Sequence, residues 1–268
     1  MANFKGKIVV ITGGSDGIGK ALVEQFLTLG AKVATCGRNV DKLAQLVAAN
    51  PGQELFTMQV DVVNQAQDEV FVKAVLDKWG AIDILINNAG ISMRALVSEV
   101  SIETLKNVMD INFWGTVYTT KAALPAIQKA NGVIVGVSSI AGYRGLPGRS
   151  GYSASKYALN GWLEALRTEL YGSGTHVMWV CPGFTSSNIR NAALNKDAKA
   201  QGESPMDEGA MMSSEACANH IIESIAKRKR SLVLTFTGKR TVFMNKFFPA
   251  WADKLAYHFF FKNGKLVK

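Results

Sequence analysis

Three observations predict an α/β fold built on a doubly wound, parallel, seven-stranded sheet with helices on both faces. Short runs rich in Val and Ile alternate with longer segments of helical periodicity, the runs are apolar almost throughout, and the first passes through a glycine turn straight into a helix. Near-continuous apolarity suits strands buried on both faces, and repeated strand, helix, strand order calls for a parallel sheet with right-handed crossovers. In chain order the expected strands are KIVVIT (7–12), KVATC (32–36), LFTMQV (55–60), IDILI (82–86), GVIVGV (132–137), HVMWV (176–180) and SLVLTF (231–236). Helical patterns such as ALVEQFLTL, after the first strand, fill the gaps. No repeat or low-complexity linker divides the chain, but its last thirty residues differ in character. The expected organisation is a main unit over 1–238 with a basic and aromatic extension of the same domain over 239–268.

The chain of 268 residues, with 48% hydrophobic and 19% charged content, suits one large globular domain. No apolar stretch reaches the roughly 18 residues of a membrane-spanning helix, and the N-terminus runs into the first strand without a signal-peptide pattern. Cys36, Cys181 and Cys217 are odd in number and far apart, which argues for a reducing compartment, a cytoplasmic setting and no disulfide framework. His176, His220 and His258 are equally scattered, so no metal site is expected. The net charge of +9 is uneven: residues 227–268 hold eleven Lys or Arg against one acid, Asp253, a net of +10 that leaves the first 226 residues at −1. Within that stretch KRKR (227–230) reads as the basic end of a helix before the last strand, and no nucleic-acid site is expected.

The first strand ends in Thr12-Gly13-Gly14-Ser15-Asp16-Gly17-Ile18-Gly19, with glycines at 13, 17 and 19. Such a loop lets the backbone approach a pyrophosphate that then faces a helix N-terminus. A plain tight turn would look the same in isolation, but placement directly after strand one favours a dinucleotide. The second strand ends in Cys36-Gly37-Arg38-Asn39, without the acid that usually receives the ribose 2′-hydroxyl of NAD. Arg38 instead offers a planar cation suited to a 2′-phosphate.

TGGSDGIG (12–19), Asp61 after strand three, NNAG (87–90), Asn112, Ser139, YSASK (152–156) and CPGFT (181–185) follow one another in an order that resembles the short-chain dehydrogenase/reductases, in their single-domain branch, over roughly residues 5–235. The resemblance implies a Rossmann-type catalytic domain over 1–238 and NADP(H) as cofactor, with NAD less favoured. Its dinucleotide would be held by Gly13, Ser15, Asp16, Gly17, Ile18 and Gly19, by Arg38, by Asp61 and Val62, by Asn88, Ala89 and Gly90, by Tyr152 and Lys156, and by Pro182, Gly183 and Thr185. Many NADP-dependent members carry a basic residue inside the glycine loop, where this chain has Asp16, so the phosphate preference rests on Arg38. Pairing into a homodimer or homotetramer through long helices beside the active site is also implied.

Residues four apart share a helix face, so Tyr152 and Lys156 can point together into a cleft, whereas Tyr157 points about 100° away and reads as a packing residue. A neighbouring ammonium is expected to lower the phenol's pKa toward neutrality, fitting Tyr152 for general acid and base work. The family resemblance implies the other roles: Ser139 hydrogen-bonds the carbonyl oxygen, Lys156 holds the nicotinamide ribose, and Asn112 supports a water chain. Ser138 is a weaker alternative to Ser139, being one residue too far from Tyr152.

Substrate contacts in this family come from the loops after NNAG, after the catalytic serine and after the PG motif, which here nominates Met93, Ser139, Tyr143 and Phe184 and places Arg94 and Arg144 nearby. The polar segment of about 184–212 reads as a mobile lid. In the tail, Pro249 suits the first turn of a helix whose Trp251, Leu255 and Phe259 would form one apolar stripe. Aromatics interleaved with lysines suit an anionic membrane surface and equally suit a cover for the cleft or a subunit contact. The layout after strand seven bears a weaker similarity to the 11β-hydroxysteroid dehydrogenase-like branch. The expected function is NADP(H)-dependent interconversion of a partly lipophilic ketone and alcohol; the competing reading is a silent NADP(H)-sensing or membrane-surface protein on the same fold.

Overall fold

The computed structural model describes residues 3–204, 206, 209 and 211–268. The seven strands are β1 (Ile8–Thr12), β2 (Lys32–Gly37), β3 (Leu55–Gln59), β4 (Ile84–Asn87), β5 (Val133–Val137), β6 (His176–Cys181) and β7 (Ser231–Val233). All pair in parallel, in the order β3-β2-β1-β4-β5-β6-β7. Alternate residues of each strand feed two cores. Val9 and Ile11 join Leu22 and Phe26 of α1 (Gly17–Thr28) and Ile221 of α7 (Ser214–Ala226). Ile8 and Val10 face the opposite layer, with Phe71 of α3 (Gln65–Trp79), Ile127 of α5 (Gly115–Lys129) and Leu159 of α6 (Ser150–Glu169). Burial of the sheet on both faces is the cause of the unbroken apolar runs.

The strand order reverses between β1 and β4, which opens a crevice at their carboxyl ends. Between β2 and β3 lies α2 (Val40–Ala49), capped by Asn39, whose side chain accepts from Lys42 N at 2.9 Å. Helix α4 (Ile102–Met109) continues into α5 through a π-helical turn over Asp110–Trp114.

The seventh strand is shorter than the sequence suggests. It stops at Val233, and Phe236, expected in the strand, opens helix α8 (Phe236–Phe247). Thr235 makes the break: it adopts φ +62, and its hydroxyl accepts from Gly238 N at 3.0 Å to cap the helix. Helix α9 (Pro249–Phe260) starts with Pro249, and a small hairpin of β8 (Phe261–Lys262) and β9 (Lys265–Leu266) follows.

This tail is fastened to the loop after β5. Arg144 pairs with Asp253 at 2.6 Å and donates to Asn245 at 2.9 Å, and Asn245 donates to the Tyr143 carbonyl at 2.8 Å. Helix α9 buries Ala252 and Phe260, while Trp251, Leu255 and Phe259, the expected stripe, are 69%, 48% and 38% exposed. The described residues contain no helix long and apolar enough to cross a membrane.

Candidate active site

The crevice at the strand reversal is a cavity of about 440 Å³ that runs from the glycine turn and Arg38 to Tyr152 and Lys156, a size suited to a cofactor and a small molecule. Its floor depends on one crossing. Thr12 Oγ1 accepts from Asn88 N and Ala89 N, both at 3.0 Å, and Asn88 Nδ2 donates to the carbonyls of Thr12 and Gly13 at 3.0 and 3.1 Å. Two glycines let this crossing close. A methyl group on Gly19 would lie 2.2 Å from Gly13 O, and one on Gly14 would lie 2.1 Å from Thr35 Oγ1. Both methyl groups would strike protein atoms, so glycine at these positions lets the turn close on itself and on β2 and leaves its backbone as a cradle bordering the cavity.

Every predicted residue of the glycine turn lines this cavity, as do Arg38, Asp61, Val62, Asn88, Ala89, Gly90, Pro182, Gly183 and Thr185. The sequence reading overlooked Lys42, which also lines it and forms an ion pair with Asp16. Burial alone would raise the Asp16 carboxyl, but the hydrogen bond and charge of Lys42 hold it below its ordinary value. The carboxylate that looked unfavourable for a phosphate is thus matched by a cation in the first turn of α2. A basic residue four places after Arg38, just past an Asn cap, is the signal that marked it.

Tyr152 and Lys156 lie one turn apart on α6, as their spacing requires. Ser139 stands near enough to the phenol to favour its ionised form, and its Oγ accepts from Ala141 N at 3.1 Å. Ser138 lies against α6, with Oγ 3.5 Å from the Lys156 carbonyl. Lys156 Nζ donates to the Val137 carbonyl at 2.9 Å and sits 5.7 Å from the Tyr152 ring centre. Tyr157 is 46% exposed and does not line the cavity.

The expected lowering of the Tyr152 pKa does not hold in this structure. Burial pushes the phenol up, and Ser139, Arg149 and Arg190 offset that only in part. Lys156 contributes little because its ammonium is directed at Val137 and is itself pushed down to about 8 by desolvation.

Asn112 sits on the π turn, fully buried behind the cavity wall. Its side chain accepts from Ile91 N at 2.8 Å and donates to Ile91 O and Ser155 Oγ, both at 2.9 Å. It fixes the loop after β4 and does not reach the cavity surface. Two nominated substrate contacts are also misplaced. Met93 is fully buried, its Sδ accepting from Gly151 N at 3.2 Å, because the loop after NNAG folds inward against α4 and α6. Tyr143 turns under the sheet to accept from Trp179 Nε1 at 2.9 Å. Arg144 is engaged by the tail. Phe184 does line the cavity and stacks on Phe259 with ring centres 5.9 Å apart.

The segment after Phe184 crosses the cleft and is tied to the far wall. Arg94 N donates to Leu194 O at 2.8 Å, Leu194 N to Ser92 O at 2.9 Å, and Ser101 N to Lys196 O at 3.0 Å. Of the lid predicted from sequence, Pro205, Asp207, Glu208 and Ala210 lie outside the described residues. Two arginines in the cavity lining, Arg149 and Arg190, were not expected.

Lys156 generates a pH-dependent test. The folded protein releases its proton near pH 8, whereas the unfolded chain keeps it to about the ordinary 10.5. Between those values the unfolded state binds more protons, so stability rises with pH. The unfolding free energy of the wild type, relative to Lys156→Met, should therefore increase from pH 8 to pH 10.5 in urea titrations. A difference that stays flat across this window would show that the ammonium is not desolvated.

Comparisons with known proteins agree with this geometry. The family model described as short chain dehydrogenase matches residues 7–198. The chain is 32% identical over 256 residues to dehydrogenase/reductase SDR family member 7B of Mus musculus, covering 92% of this chain and 79% of that protein. It is 33% identical over 241 residues to 11-beta-hydroxysteroid dehydrogenase 1A of Arabidopsis thaliana, covering 85% and 68%. The crystal structure of a short chain dehydrogenase/reductase from Burkholderia phymatum in complex with NAD superposes with a TM-score of 0.82 at 27% identity, covering 92% of this chain and 95% of that one. With the family's profile matched along most of its length, on a seven-stranded parallel sheet, this chain belongs to the short-chain dehydrogenases.

Proposed function

We propose that this chain interconverts a ketone and a secondary alcohol with NADP(H), and that Tyr152 carries the proton. The observation that supports it most directly is the convergence of Tyr152, Ser139 and Lys156 on one end of a cavity whose other end is a glycine cradle. The dinucleotide, when bound, supplies or accepts the hydride. The glycine turn and the Asn88 crossing would hold its phosphates, with Asp61, Val62 and Gly90 along its adenosine half and Pro182, Gly183 and Thr185 beside the nicotinamide. The Burkholderia structure holds NAD; the preference proposed for this chain rests on its own Arg38 and Lys42, two basic side chains that line the cavity just past the end of β2 and would suit a 2′-phosphate.

At the reacting end, a substrate oxygen would receive hydrogen bonds from Ser139 and Tyr152. The raised phenol is protonated near neutrality and suited to donate its proton as charge develops on that oxygen. Lys156 lies beneath, where it would orient a ribose hydroxyl. Asn112 positions: its hydrogen bonds keep Ile91 and Gly90 at the cavity wall. Ile91, Leu146, Phe184 and Met206 add apolar lining for a partly lipophilic substrate.

The tail over 239–268 is proposed as an extension of the same domain with two faces. Phe260 and the hairpin pack toward the cavity mouth, whereas Phe243, Phe247 and Trp251 are 55%, 56% and 69% exposed among Lys239, Arg240, Lys246 and Lys254. That outer face suits the headgroup region of an anionic bilayer.

Replacing Tyr152 with Phe should lower kcat by about 10²- to 10⁴-fold and leave NADPH binding, read by nucleotide fluorescence, intact. Undiminished turnover would sink the catalytic assignment, and NADPH binding by a wild type inert to a broad carbonyl panel would support a sensing role. Replacing Arg38 and Lys42 with Ala should weaken NADPH at least ~10-fold more than NADH, as loss of charged hydrogen bonds implies; equal weakening would remove the phosphate preference. On the outer face, Phe243→Ser with Trp251→Ser should reduce pelleting with phosphatidylserine-containing vesicles. Equal pelleting of variant and wild type would rule out the membrane role.

A further inference from the structure

A carboxyl group lies buried behind one wall of the cavity with no cation to match it. Asp68, in the first turn of α3, is fully buried. Its Oδ1 lies 2.9 Å from Thr119 Oγ1 of α5, and its Oδ2 is buried without a hydrogen-bond partner. Among the described residues no Lys, Arg or His pairs with it. The titratable groups that act with it are Asp61, just after β3, and the Cys36 thiol of β2, which burial pushes up to about 12. From α5 it meets the Thr119 hydroxyl. A carboxylate in such a place is costly, and the neutral acid is favoured.

Thr119 distinguishes the two forms. Its hydroxyl lies 2.9 Å from Asp68 Oδ1 and 2.9 Å from the Gly115 carbonyl, one turn back on α5. A hydroxyl has one hydrogen to donate. A carboxylate and a carbonyl both only accept, so they would compete for it. A protonated Asp68 satisfies both contacts: it donates to Thr119 Oγ1, and Thr119 donates to Gly115. Oδ2 is then the carbonyl oxygen of a neutral acid, and burying that without a partner costs less than burying an unpaired charge. The pKa follows the same balance. Burial, the largest cause, raises it, Thr119 pulls it down, Asp61 raises it further, and the outcome is about 7.

Asp68 also stands where it can act on the cavity. The residue before it, Gln67, accepts from Asp61 N at 2.8 Å through its side chain. On the α5 side, Gly115 packs directly on Val62, since a methyl group on Gly115 would lie 2.8 Å from Val62 Cγ2. Asp61, Val62 and Cys36 all line the cavity. The Asp68–Thr119 contact thus ties α3 to α5 behind the wall that both helices support.

We infer that Asp68 is a positioning residue of the dinucleotide site that works as a neutral acid, and that nucleotide binds more tightly when Asp68 is protonated than when it is ionised. Ionisation removes the donation to Thr119, sets a second carboxylate beside Asp61 near an anionic ligand, and draws water toward the contact of α3 with α5. By linkage, binding near neutrality takes up part of a proton. The inference rests on the dinucleotide reading above for its ligand; the neutral acid stands on Thr119 and Gly115.

Asp68→Asn supplies the comparison, because its amide is neutral at every pH and can donate to Thr119 as the acid does. The first measurement needs no nucleotide. Between the ordinary 3.8 and about 7, the folded wild type holds a proton that the unfolded chain has lost, so its stability falls as pH rises. The unfolding free energy of the wild type relative to Asp68→Asn, from urea titrations, should decline from about pH 4 to about pH 7. A flat difference would overturn the proposal.

In the second, dissociation constants for NADH and NADPH are read by nucleotide fluorescence at about pH 6 and about pH 8, on either side of the Asp68 value. The ratio of the wild-type to the Asp68→Asn constant should rise about 5-fold across that interval, the lower end of ordinary coupling between sites. It should do so for both nucleotides, because each titrates alike with either protein. A merely structural Asp68 would change binding by the same factor at both pH values, and a constant ratio overturns the coupling. Should Asp68→Asn fail to fold, calorimetry of NADH binding to the wild type, in two buffers of different ionisation enthalpy near pH 7, takes its place. Proton uptake is expected there, and its absence would overturn the coupling. A declining stability difference with no binding of either nucleotide would overturn the dinucleotide reading, and the coupling with it, while leaving the neutral acid in place.

Discussion

The site depends on how β1 and β4 are joined where the strand order reverses. The connections that leave these two strands pass to opposite faces of the sheet, so backbone groups at the strand ends lose ladder partners and need others. Asn88 and Thr12 supply them: four hydrogen bonds of 3.0–3.1 Å knit the end of β4 to the end of β1. From this knot the glycine turn departs in one direction and Gly90 and Ile91 in the other. Asn112 then fixes Ile91 from behind, and Ser155, its other partner, lies on α6 between Tyr152 and Lys156. Hydrogen bonds and the short backbone stretch from Ala89 to Ile91 thus link the glycine turn to the helix that presents the phenol.

Much of this was legible because it is local. The strand runs follow from unbroken apolarity, and the helix after the glycine turn and the shared face of Tyr152 and Lys156 follow from a period of 3.6 residues. The contacts that escaped are those made across long separations. Whether Met93 faces the cleft or the core depends on α4 and α6 closing over it, and Tyr143 is drawn under the sheet by Trp179, thirty-six residues on. The phenol's pKa was misjudged for the same reason. Spacing places an ammonium nearby, but only the fold shows that it donates to Val137. Arg149 was in plain view three residues before Tyr152, yet only the fold shows that Phe260 and the end of the tail lie against it. Strand seven was overextended because apolarity continues past Val233 while Thr235 turns the backbone.

The charge imbalance along the chain takes on a spatial meaning. The first 226 residues are nearly neutral; of the +10 that follows, KRKR at 227–230 carries +4 and the tail, which reaches the cavity lining through Phe259, carries +6. There Lys268 Nζ lies 3.9 Å from the Phe259 ring centre, and Phe259 stacks on Phe184. On α9 the stripe of Trp251, Leu255 and Phe259 ends in the ring that stacks on Phe184, while Trp251 at its other end is exposed. Arg144 joins the tail to the site, because it holds Asp253 and Asn245 while belonging to the loop that follows Ser139.

The π turn at Asp110–Trp114 has a bearing on how such chains can change length. A π turn holds one residue more than a regular helix would place there, and that surplus aims Asn112 at Ile91. Deleting any single residue between 110 and 114 would give a smoother helix and rotate Asn112 away from the loop it holds. In this segment a gap in an alignment would be worse tolerated than most substitutions, although nothing in its composition marks it as rigid.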